Sequence, residues 1–148
     1  MIDYEYDDGG RAAAGFKGTT GDHVIRATAI ATGLPYADLY KRYAALNGAR
    51  FGKITGKRNV HRDDYEPVLE ELGYVKAVRP HRRKGVPSLT FSEAYEQYGD
   101  CIVRTSRHLS AIIDGVLRDT GDIRTYEWDH DEVRERKAVT IYHRVKPD

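Results

Sequence analysis

The chain has 148 residues, about the size of a single domain, and its 40% hydrophobic and 32% charged content is that of a soluble globular protein with one core. No apolar run approaches the roughly 20 residues a bilayer span needs, and the acidic opening Met1-Ile2-Asp3-Tyr4-Glu5-Tyr6-Asp7-Asp8 is no signal peptide, so a cytoplasmic protein without membrane contact is expected. A formal net charge of +1 excludes a global pull toward nucleic acid, and the single cysteine, Cys101, excludes an internal disulfide and fits a reducing compartment.

Residues 2–7 alternate apolar and acidic side chains, the pattern of a half-buried strand. Gly9, Gly10, Gly15, Gly18 and Gly21 make the next stretch a loop, and it matches neither the GxxxxGK[ST] nor the GxGxxG phosphate-binding pattern. A helix is expected from Thr20-Gly21-Asp22, capped by Thr20 or Asp22, buried because it is apolar on most faces, and ended by Gly33. Pro35 suits the first turn of a second helix over 36–46, with Leu39, Tyr40, Tyr43 and Leu46 as its packing stripe and Asn47-Gly48 as its stop. A basic loop at 50–59 leads to a third helix, 62–72, which packs through Tyr65, Val68, Leu69 and Leu72 and closes at Gly73. A strand over 74–78, a second basic loop over 79–88 and a short helix capped by Ser92 and reaching Tyr98 follow.

From Cys101 onward the pattern is β: a strand over 101–105, a hairpin, an acidic loop holding Trp128, and a last strand over 138–143. Helices first and an antiparallel sheet after is an α+β order, in one domain spanning 1–148. The hairpin is the strongest local signal, because Asp114-Gly115 stands between two alternating apolar runs. With those two residues as the turn, Ile113 faces Val116 and Ile112 faces Leu117, which puts His108, Ser110, Leu117 and Asp119 on one side. Asp119 then lies diagonal to His108, within hydrogen-bonding range.

Charge is unevenly spread. Arg50, Lys53, Lys57, Arg58 and Arg62 carry no intervening acid, and Arg79-Pro80-His81-Arg82-Arg83-Lys84 forms a second basic knot. Such blocks are ordinarily solvated loops; the alternative is a phosphate or nucleic-acid patch on loops 50–62 and 79–84, with Tyr74 and Tyr98 as stacking partners.

A helix N-terminus after a glycine-bearing loop, followed later by a His–carboxylate hairpin, resembles the layout of papain-like cysteine peptidases. More specifically, Asp7 to Gly18, Gly21-Asp22-His23-Val24-Ile25-Arg26 through Tyr36, Val60-His61-Arg62, Leu72-Gly73-Tyr74, Ile102 to His108, Asp114-Gly115-Val116 and Asp119-Thr120 resemble small uncharacterised bacterial and phage proteins of that kind. The resemblance covers about residues 7–145. It implies a papain-like fold with a nucleophile at the start of the first helix, where the dipole stabilises a thiolate, and His108 and Asp119 as its partners.

Position 23 departs from that pattern, because the family has cysteine after Gly-Asp and this chain has His23. Imidazole forms no thioester, and a helix N-terminus disfavours imidazolium, so His23 is expected neutral. The resulting expectation is a degenerate site at His23, His108 and Asp119, inactive as a cysteine peptidase, with a cleft retained for a peptide or protein. Loss of the nucleophile in evolution or an inactivating change at position 23 would both produce it. Cys101 has no capping helix or neighbouring cation and is expected to be a buried structural residue. Ser106 and Ser110 lack a GxSxG elbow and are read as structural. His23, His108 and Asp119 form the alternative of a two-His, one-carboxylate metal site; otherwise no metal and no cofactor is expected. His61, His81, His130 and His143 show no ligand spacing.

Overall fold

Helices lead and strands follow in the computed structural model of the chain, which describes residues 1–18, 21–56, 59–77, 89–127 and 132–145. The order is β1 (Asp3–Tyr6), α1 (His23–Thr32), α2 (Tyr36–Phe51), α3 (Arg62–Glu71), β2 (Tyr74–Lys76), α4 (Phe91–Tyr98), β3 (Cys101–Thr105), β4 (His108–Ile113), β5 (Val116–Asp119), β6 (Thr125–Glu127), β7 (Val133–Glu135) and β8 (Thr140–Arg144). Six strands form one sheet in the order β1-β5-β4-β3-β8-β2, and β6 and β7 pair separately. The class is α+β. No helix among the described residues is long and apolar enough to cross a membrane.

The sheet corrects one expectation. It is mixed, because β1 joins β5 in parallel, from Asp3 opposite Val116 to Tyr6 opposite Asp119. It is also not confined to the C-terminal half, since β1 and β2 form its two edges. Ile2, just ahead of β1, is buried, while the edge strand itself buries only part of Tyr4 and leaves Tyr6 exposed, so its alternation is only half used.

The hairpin has the expected register, with Ile113 opposite Val116, Ile112 opposite Leu117 and Ala111 opposite Arg118. Asp114 and Gly115 have φ of 52° and 75°, the double left-handed turn that an Asp-Gly pair accommodates at little strain. Alternation along the strands sends side chains into two cores. Ile102, Leu109, Ala111 and Tyr142 pack with α1, α2 and α3. Cys101, Val103, Ile112, Leu117 and Ile141 pack with Phe91 and Ala94 of α4. Each fully buried Ile or Leu contributes about 1.5–3 kcal/mol relative to leaving it exposed.

Helix α1 ends at Gly33 in the left-handed conformation, as its composition predicts. Helix α2 does not stop at Asn47-Gly48 but runs to Phe51 and ends at Gly52. Tertiary contacts override the local breakers: buried Asn47 donates Nδ2–H to the Thr55 carbonyl, and Gly48 leaves the space that Ile54 fills. Arg50 is therefore helical, and it pairs with Asp64 at 2.6 Å. Helix α3 buries Tyr65, Val68 and Leu69 as expected.

Helix α4 is capped by Thr90, not Ser92. Thr90 and Glu93 close a capping box, while Ser92 accepts from the Ile2 N–H and bonds Glu135. The final strand β8 begins at Thr140, two residues later than its apolar run. Residues 79–84, Lys57, Arg58, His81, Trp128, His130 and Thr20 lie outside the described residues.

Candidate functional site

The site starts from Asp22, just ahead of α1. Its carboxylate makes no side-chain cap to the helix. Instead it pairs with Arg26 one turn on at 2.6 Å, accepts the Tyr36 hydroxyl at 2.8 Å, and lies 3.3 Å from Arg11. Arg11 in turn donates to the Gly18 and Lys17 carbonyls, which ties the glycine-rich loop to the helix start. All three charged side chains are at most 5% exposed, so each guanidinium and carboxylate needs its partner.

Arg26 reaches across to the sheet as well. Its Nε and second terminal nitrogen lie 3.2 Å and 3.0 Å from Asp119 Oδ1. The other oxygen of Asp119 meets His108 Nε2 at 2.7 Å and accepts the Ser110 hydroxyl. The Thr120 N–H adds a bond at 2.7 Å. Burial works to raise the Asp119 carboxyl, but the bonds from His108 and Ser110 and the charge of Arg26 overcome it and hold the group below its ordinary value.

His23 is the first residue of α1, and its ring stacks on His108 with centroids 5.3 Å apart and planes at 29°. His23 Nδ1 accepts the Leu109 N–H at 3.1 Å. A neutral ring therefore carries its proton on Nε2, a buried nitrogen. Burial, then the neighbouring His108 and Arg26, push His23 down to about 4; the Asn59 side chain and Asp119 oppose this. His23 is thus neutral near pH 7.

His23, His108 and Asp119 stand in sequence, with the middle ring touching both others. The structure brings these three together from α1, β4 and β5. Cys101 is elsewhere, fully buried beside Ile112 and Leu117, with burial and Asp100 pushing its thiol up to about 12. It cannot supply a thiolate at neutral pH.

The rings open on a cavity of about 190 Å³. Its wall includes Arg62 at the start of α3, Arg104 on β3, Arg107 in the turn between β3 and β4, and Tyr65 and Asn59. A larger groove of about 590 Å³ lies between α2 and α3 and contains none of the array residues.

Several expectations are corrected here. The three residues do not make a metal centre: among the described residues no group of three or more His, Cys, Asp or Glu is placed to hold an ion. Both oxygens of Asp119 are already bonded, and His23 Nδ1 is used by Leu109. Tyr74 is buried and donates to the Ala31 carbonyl, so it cannot stack on a ligand; Tyr98 lies against His143 in a tilted ring pair, with centroids 5.2 Å apart. Ser110, read as structural, donates its hydroxyl to the Asp119 carboxylate that holds His108.

Read from sequence, Arg26, Arg11 and Tyr36 have no role in the site and Asp22 only that of a helix cap. The Asp22–Arg26 spacing of four on a helix was a usable signal; the link to Asp119 was not. No protein-family model matches the chain, and neither a curated protein nor a solved structure was found to be similar to it.

Proposed function

We propose that the protein is related to papain-like cysteine peptidases and carries their nucleophile–histidine–carboxylate array with an imidazole in the thiol's place. It then binds a peptide or protein in the retained cleft and does not hydrolyse through a thioester. The observation that supports this is the juxtaposition of His23, at the first turn of a buried helix, with a His108 ring held by Asp119 at 2.7 Å.

The reading is tested by asking whether the position still activates a nucleophile. In His23→Cys the introduced thiol is expected to sit beside His108 and ionise within the roughly 3.5–7.5 range of activated cysteines. Its alkylation by iodoacetamide should then outpace that of a free thiol at mildly acid pH. His108→Ala in the same background should abolish the advantage. The unsubstituted protein is the blank, since its only cysteine is buried. An introduced thiol no more reactive than glutathione overturns the reading.

A further inference from the structure

The cleft wall carries cations that neither the array nor the core uses. Arg62, Arg104 and Arg107 come from three places in the chain and meet at one cavity whose lining contains no carboxylate. Among the described residues the arginines in ion pairs are Arg11, Arg26, Arg42, Arg50, Arg118, Arg124 and Arg134; the cavity's three are absent from that set. Arg104 donates Nε–H to Thr140 at 3.4 Å, which braces its stem and leaves the terminal nitrogens free of any carboxylate.

Arg107 gives a second, independent sign. It holds φ at +62° in the two-residue turn between Thr105 and His108, a conformation that glycine or asparagine takes with less strain. The turn thus sets an exposed arginine in the cavity wall, in a conformation that a smaller residue would take at lower cost.

We infer that this cavity binds a phosphate group, its oxygens held by Arg62, Arg104 and Arg107. Three guanidinium groups carry more positive charge than the single negative charge of a carboxylate balances, and they suit the three outer oxygens and double charge of a phosphate monoester. The volume of about 190 Å³ is several times the roughly 30 Å³ of one water, enough for the anion and part of the group it is attached to. The inference names the ligand chemistry of the cleft, and it rests on the reading above for taking that cleft as the working surface.

Calorimetric titration of the whole chain near neutral pH tests it, with phenyl phosphate, inorganic phosphate and benzoate as probes. Both phosphates are expected to bind and benzoate to bind at least about tenfold more weakly; tighter binding of phenyl phosphate assigns an ester, and the reverse assigns the free anion. Arg62→Gln and Arg107→Gln, both at exposed positions and so foldable, should each weaken phosphate about tenfold. Arg104→Gln should do the same. Arg118→Gln, which breaks a surface pair with Glu5, should leave affinity within about twofold.

Absence of phosphate binding, benzoate binding as tight as phosphate, or undiminished affinity in Arg62→Gln and Arg107→Gln overturns the inference. Loss of phosphate binding alongside a reactive thiol in His23→Cys defeats this inference alone. Intact phosphate binding with an unreactive thiol defeats only the peptidase relationship.

Discussion

Two sets of arginines flank the same pair of histidines and live under opposite conditions. Arg11 and Arg26 are buried, with Asp22 and Asp119 as counter-charges and carbonyl or hydroxyl groups filling the remaining positions. Arg62 and Arg107 are exposed and Arg104 is half-buried, and none of them faces a carboxylate across the cavity. A buried guanidinium cannot give up its partner without leaving a bare charge in a low dielectric, so the first set is scaffold. A solvated guanidinium can exchange water for a ligand at little cost, so the second set is available. The boundary between the two runs through His23 and His108.

That contrast can be broken most severely at Arg26. Arg26→Met leaves both Asp22 and Asp119 buried without their main cation and is expected to cost about 3–5 kcal/mol of stability in urea unfolding. A loss under 1 kcal/mol, on the order of a surface substitution, would mean that the network is not the anchor of α1 to β5.

A smaller effect comes from acid. The unfolded chain takes up a proton at His23 near 6.5, whereas the folded chain does so only near 4. The contribution of His23 is therefore complete above about pH 6.5 and is lost as the pH falls toward 4, a difference of about 3 kcal/mol at most. Asp119, held below its ordinary value, adds a loss in the same direction but only at still lower pH. Chemical denaturation across this range should show the slope, and His23→Gln should flatten it. An unchanged slope in that variant would place the titration elsewhere.

The smallest effect is expected at Arg107. Arg107→Gly removes a cation and relieves the left-handed backbone, so stability should hold or rise by up to about 1 kcal/mol. A clear loss in its thermal unfolding would return Arg107 to the scaffold and erase the contrast.

Features written in neighbouring residues were legible in the sequence. The Asp114-Gly115 turn, its register and the diagonal from His108 to Asp119 follow from a dipeptide and strict alternation, and the observed pairs agree. The end of α1 at Gly33 follows from one residue. Helix α2 was misjudged because the reason to pass Asn47-Gly48 lies in Thr55 and Ile54, which contribute only after folding. The cap of α4 was misplaced although Thr90 and Glu93 already had the spacing of a capping box, because Ser92 stood nearer the acidic run. Neither the Arg26–Asp119 bond nor the meeting of Arg62 with Arg104 and Arg107 has any local trace, since the partners are joined only by the sheet and by α3.

The parallel pairing of β1 with β5 also sets an order of events during synthesis. Glu5 and its partner Arg118 are 113 positions apart, so β1 has no strand to join until the hairpin has been made. Such distant pairing is slow to form, because a long loop must close before any contact repays it. Once docked, β1 supplies the Asp7 N–H and the Tyr4 hydroxyl to the Asp119 carbonyl, at 3.0 Å and 3.2 Å. The backbone behind the His108 carboxylate is therefore clamped only after β5 has been made, and a nascent chain carries an unfinished cleft until residue 119 has been translated.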